Sequence, residues 1–142
     1  MARIKIELPA ESIASFNIPV RITDINYGNH VGNNSIVEII HEARFQFLQQ
    51  YQFTEMDAGG TGLILNELIV EFKNESFYGD IVNVKIFAGE ISKKSFEIYY
   101  QLIALRSENI VIAHAKTGVV CYNYSERKVE SIPEKLKSIL TH

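Results

Sequence analysis

Residues Asn34 to Tyr51 read NSIVEIIHEARFQFLQQY. Ile36, Ile40, Ala43 and Phe47 recur at i, i+4, i+7 and i+11, the spacing of one helix face. Val37, Ile39, Leu48 and Tyr51 widen that face well beyond a narrow seam, so the spacing predicts a helix buried along most of its length. Ser35 with Glu38 has the pattern of a capping box, and Asn33 or Asn34 offers an alternative cap. A helix this apolar needs a sheet that wraps it.

The flanking sequence supplies that sheet. Phe16 to Thr23 is rich in β-branched residues and reads as a strand, with Pro19 near its start or on an edge. Asp24 to Asn34 (DINYGNHVGNN) has the composition of a loop. Asp57 to Gly62 is a glycine-rich connection. After it come four strand-like runs, Leu63 to Lys73, Ile81 to Ile91, Ser95 to Arg106 and Asn109 to Tyr124, divided by Tyr78-Gly79-Asp80, Ser92-Lys93-Lys94 and Ser107-Glu108-Asn109. Such short breaks imply antiparallel hairpins. Phe96, Ile98, Tyr100 and Leu102 alternate with Glu97, Tyr99, Gln101 and Ile103, the period of a strand with one buried face. Pro133 to Leu140 is a short amphipathic helix. The expectation is an α+β protein, one domain over residues 1–142, with a curled five-stranded antiparallel sheet around a central helix. Edge-to-edge pairing into a homodimer would cover its exposed strand edges, and pairing of two such dimers would give a homotetramer.

Composition sets outer bounds. The 142 residues are 46% hydrophobic and 22% charged, as in globular proteins, with a formal net charge of −3. A nucleic-acid binder would show a basic excess or stripe, and neither is present. Met1 to Glu7 alternates charged with apolar residues, unlike a signal peptide. No apolar run is long enough to span a bilayer. The single cysteine, Cys121, excludes an internal disulfide and suits a reducing compartment, so a cytoplasmic location is expected. The four histidines are too scattered to argue for a metal.

The segment Arg21 to Arg44, RITDINYGNHVGNNSIVEIIHEAR, resembles the hotdog-fold thioesterases, specifically the 4-hydroxybenzoyl-CoA thioesterase-like branch. Asp24, His30, Val31, Asn33, Ala43 and Arg44 stand at matching spacing. Phe77-Tyr78-Gly79-Asp80, Lys94-Ser95-Phe96 and Ile132-Pro133-Glu134 are similar to the family's punctuation, and the likeness runs from Asn17 to Leu140. It implies the hotdog fold and hydrolysis of an acyl or aroyl thioester of coenzyme A, with the thioester as substrate and no cofactor.

The resemblance also implies site residues. In the family a backbone N–H at the helix start holds the thioester oxygen, and the matching position is Asn33. The branch's catalytic aspartate falls at Asn26, a departure, since an amide is neither base nor carboxylate nucleophile. It can still hold water or substrate. His30 matches a histidine used by plant acyl-carrier-protein thioesterases; the plain alternative is a histidine that shapes the loop. His41 occupies the position of the family's helix carboxylate, with Glu42 beside it on the polar face. Asp24 could act as base or orienter, but an ion pair with Arg21 or Arg44 is favoured, because Arg44 sits close to the buried stripe and needs an anion. Lys93 and Lys94, in a turn, are candidates to steer the phosphates of coenzyme A. His114 and Cys121 read as structural, and His142 as uninformative.

Two other functions fit the same segment. Asp24-x-Asn26-x-x-x-His30 is similar to the DxNxxH pattern of (R)-specific enoyl-CoA hydratases, with the histidine one residue late. The missing aspartate also suits a non-catalytic protein that binds acyl thioesters.

Overall fold

The computed structural model describes residues 4–141; Met1 to Arg3 and His142 lie outside them. In chain order the elements are β1 (Ala14–Pro19), a 3₁₀ turn (Ile22–Asp24), α1 (Asn33–Gln49), β2 (Gly62–Phe72), β3 (Ile81–Ile91), β4 (Ser95–Leu105), β5 (Ile110–Asn123), β6 (Lys128–Val129) and α2 (Glu134–Leu140). The strands form one antiparallel sheet in the order β1-β3-β4-β5-β2, with β6 paired to β5. The sheet therefore has six strands rather than the five expected. The added strand is two residues long, at Lys128 and Val129, too short for a hydrophobic period to reveal.

The first strand is shorter than its sequence suggests. It ends at Pro19, and the Asp24 carboxylate accepts the Arg21 backbone N–H at 2.8 Å to close a 3₁₀ turn instead. β1 is an edge strand, where a proline without an N–H costs no ladder bond.

The concave face of the sheet wraps α1. Phe96, Ile98, Tyr100, Leu102 and Ala104 of β4 all point inward and are buried, as the alternation predicts. They meet Ile36, Ile40, Ala43 and Phe47 of α1 in one core. Full burial of Ile40 and Phe47 stabilises by roughly 1.5–3 kcal/mol for each side chain. Leu136, Ile139 and Leu140 of α2 extend the same core. Not all of α1 is covered: Val37 and Phe45 remain 36% and 43% exposed. The other edge strand, β2, likewise exposes Leu65 and Leu68 at 39% and 44%. None of the helices among the described residues is long and apolar enough to cross a membrane.

Candidate active site

The loop that leads into α1 is built by its own polar residues. Asn26 Oδ1 accepts the backbone N–H of Gly28 at 2.9 Å and, more weakly, that of His30 at 3.4 Å. The Asn26 N–H donates to the His30 carbonyl at 2.9 Å, and Ile25 bridges Val31. Asn29 takes a left-handed conformation, φ 64°, which asparagine tolerates better than most residues. The His30 Nδ1–H donates to the Val31 carbonyl at 3.1 Å, which leaves Nε2 as the basic nitrogen.

The loop then delivers the chain into α1 without a side-chain cap. Gly32 is the N-cap, and its N–H donates to the Asp24 carbonyl at 3.0 Å. This corrects the expected capping box. Ser35 is the third residue of the helix, within its first turn, buried, with its hydroxyl turned to the Asp24 carboxylate. Glu38 is exposed and faces Arg21 at 3.8 Å. Neither Asn33 nor Asn34 caps the helix. Their own backbone N–H groups have no acceptor among the described residues, and both residues are exposed. The helix start is thus a cluster of free donors at a positive dipole end.

Asp24 is 2% exposed and serves as the hub of this corner. Its carboxylate accepts the Arg21 backbone N–H and lies 3.1 Å from the Arg21 guanidinium. Burial pushes its pKa up, but the bonds from Arg21 and Ser35 outweigh burial and hold it below the usual carboxylate value. The ion-pair partner is Arg21 rather than Arg44.

Arg44 finds its anion elsewhere. It is 4% exposed and donates to the Tyr100 hydroxyl at 3.3 Å, which in turn bonds Thr117 at 2.8 Å. Its Nε lies 3.6 Å from Glu55 Oε1. The same carboxylate oxygen is 2.7 Å from His41 Nε2. Glu55 sits in the connection after α1, and its carbonyl accepts the Leu63 N–H at 2.7 Å where β2 begins. Sequence reasoning missed Glu55, because nothing in a loop's composition says which helix face it folds back on.

Two depressions flank α1. At its start, His30, Asn33, Ile36, Phe72 and Lys73 line a cavity of about 240 Å³. Along its outer face, Pro19, Arg21, His41, Glu42 and Phe45 line a groove of about 610 Å³. Within one chain the candidates therefore divide into two groups, with Asn26, His30 and Asn33 at the tip and His41 and Glu42 along the helix. Glu42 itself accepts from Gln46 Nε2 at 2.8 Å. Lys93 and Lys94 lie in the turn between β3 and β4, at the end of the sheet away from the tip of α1. Cys121 is fully buried, and burial pushes its thiol up to about 11.

A family model described as the thioesterase-like superfamily matches residues 20–140, from the end of β1 to the end of α2. The chain belongs to the thioesterase-like superfamily. A curated relative, a 1,4-dihydroxy-2-naphthoyl-CoA hydrolase of Acaryochloris marina, is 24% identical, over 82% of this chain and 88% of its own. Among solved structures, a 1,4-dihydroxy-2-naphthoyl-CoA thioesterase from Synechocystis superposes with a TM-score of 0.79 at 22% identity, covering 89% of this chain and 93% of that one. A gentisyl-coenzyme A thioesterase gives 0.77 at 21% identity, over 90% and 100%. The architecture of this thioesterase-superfamily chain, a central helix in a curled antiparallel sheet, is the hotdog arrangement that these structures share.

Proposed function

We propose that this superfamily member is an acyl-CoA thioesterase that hydrolyses an acyl or aroyl thioester to the acid and free thiol, acting as a homodimer. The observation that carries the reading is the uncapped start of α1, with free N–H groups at Asn33 and Asn34 beside a cavity. A carbonyl oxygen that gains negative charge in the transition state needs such pre-aimed donors. Aroyl-CoA esters are the first substrates to try, because relatives are described as acting on 1,4-dihydroxy-2-naphthoyl-CoA and gentisyl-CoA.

In this reading the Asn33 N–H polarises the thioester carbonyl. Asn26 spends its oxygen on the loop, and its Nδ2, which has no acceptor among the described residues, holds water or substrate. Proton transfer falls to His30 at the tip or to His41 from a neighbouring protomer. Asp24 fixes the corner through Arg21.

The exposed edge of β2 supports the dimer. The outer edge of β2 around the exposed Leu65 and Leu68 invites a second β2. A two-fold antiparallel pairing centred near Glu67 would set Leu68 of one chain opposite Asn66 of the other and so run the Phe72 end of one strand toward the Gly62 end of its partner. The α1 tip stands beside Phe72 in its own chain, so the pairing brings it to the end of the partner where Glu55, His41, Lys93 and Lys94 lie. There the two lysines could meet coenzyme A phosphates.

Thiol release from a panel of acyl- and aroyl-CoA esters tests the reading. Turnover is expected on at least one ester, with loss in Asn26→Ala. Tight binding of the esters without release of thiol would leave a binding protein instead.

A further inference from the structure

His41 has an unusual setting for an exposed histidine. It is 58% exposed, yet its Nε2 lies 2.7 Å from a carboxylate oxygen of Glu55. That oxygen also faces the buried Arg44, at 3.6 Å from Nε. Arg44 is itself tied to Tyr100 and Thr117 in the sheet. A chain of polar contacts thus runs from the core to an imidazole on the surface. An ionised carboxylate can only accept, so Nε2 carries the proton and Nδ1 keeps a free lone pair. His30 differs: its partner is a backbone carbonyl, and its ring lies over Gly28.

The surroundings of His41 suit a reactant. Val37, His41 and Phe45 follow one another at i, i+4 and i+8, so the imidazole lies between two exposed apolar side chains. Eight residues of helix separate it from Asn33, about 12 Å at ~1.5 Å per residue, too far to share one carbonyl within a chain. The dimer described above removes that distance, because the partner's helix tip comes to the Gly62 end of β2, where Glu55 is anchored through Leu63.

We infer that Glu55 is a positioning residue that holds His41 as the general base for a thioester bound at the partner's helix tip. This rests on the thioesterase reading. His41 Nδ1 takes a proton from water as the water oxygen bonds to the thioester carbon. The carbonyl oxygen becomes an oxyanion against the partner's Asn33 N–H. On collapse the carbon–sulfur bond breaks, the thiolate takes the proton back from the imidazolium, and acid and thiol leave. Glu55 stabilises the imidazolium, and Arg44 keeps Glu55 in place.

A double-mutant cycle on thiol release tests this. Glu55→Gln is expected to lower kcat by about 10-fold or more with KM within about threefold, the size of an impaired acid–base contribution. His41→Ala is expected to cost at least as much. In the His41→Ala background, Glu55→Gln should then change kcat by less than about twofold, since a residue that acts through another has nothing left to act on. Circular dichroism melts of each variant report folding separately. Equal losses from Glu55→Gln in both backgrounds would make Glu55 a structural support for Arg44 and overturn the inference, as would full activity in either single variant. Absence of turnover by the unmodified protein on every ester would instead remove the thioesterase reading itself.

Discussion

The Val31 backbone N–H donates to the Ser76 carbonyl at 2.8 Å, and so ties the loop before α1 to the connection between β2 and β3. That connection is itself braced. Arg106 reaches Asp80 at 2.7 Å and 3.0 Å, donates to the Glu75 carbonyl at 3.0 Å, and stacks over Phe77 at 5.3 Å. The Ser76 hydroxyl and the Phe77 N–H donate to the same carboxylate. The position of the helix tip therefore depends on an ion pair that no part of the tip contains.

The Asp80 carboxyl is held at about 2, chiefly by the Arg106 hydrogen bonds, which with Phe77 and Ser76 overcome the opposing effect of burial. A carboxylate depressed in the folded state stabilises above its unfolded pKa, ~3.9, and loses that contribution as pH falls toward 2. Asp80→Asn should therefore remove about 2 kcal/mol at pH 7 and flatten the loss of stability between about pH 4 and 2. Urea titrations at pH 7 and pH 3 measure both; an unchanged pH dependence in the variant would contradict the assignment.

Asn26 allows a test of loop geometry separate from charge. Asn26→Ala deletes the acceptor for two backbone N–H groups and should cost about 1 kcal/mol, with loss of thioester turnover. Asn26→Asp retains an acceptor oxygen for the loop and should fold within about 0.5 kcal/mol of the unmodified protein, but it deletes the Nδ2 donor assigned to water or substrate and should lower turnover. Thermal melts and thiol release from one set of esters read the two variants side by side.

Tyr100 anchors the buried end of the Arg44 chain. Tyr100→Phe removes the hydroxyl between Arg44 and Thr117 and should destabilise by roughly 1–3 kcal/mol, the cost of a buried polar group left short of a partner. Thr117→Val should cost less after Tyr100→Phe than alone, because both act on one hydrogen bond. Denaturant midpoints of the single and double variants give the comparison.

The β2 edge makes a prediction about assembly. Leu65→Lys with Leu68→Lys places two charges on the exposed strand, a change that blocks strand pairing. Light scattering should report a dimer for the unmodified protein and a monomer for the variant. Turnover should fall with the dimer, since the monomer separates His41 from any helix tip. An active monomer would overturn the shared site.

Much of the fold was legible because it rests on periodicity. The apolar face from Ile36 to Phe47 identified α1, and the alternation from Phe96 to Leu102 identified β4, since burial on one side leaves its period in the sequence. β3 needed only its flanking turns, and runs over Ile81–Ile91 as expected. Where a short polar bond decides the conformation, no period exists to read. The 3₁₀ turn after Pro19 depends on Asp24 meeting an N–H, and β6 on two residues reaching β5.

By itself the sequence determined that one apolar helix must lie inside a curled sheet, with a polar loop at the helix start, because hydrophobic spacing is written residue by residue. Only the tertiary structure decided that the start of α1 is uncapped, that Arg21 rather than Arg44 pairs with Asp24, and that Glu55 joins Arg44 to His41. Those outcomes depend on which distant groups come within hydrogen-bond reach, a property of the folded chain in space and not of spacing along it.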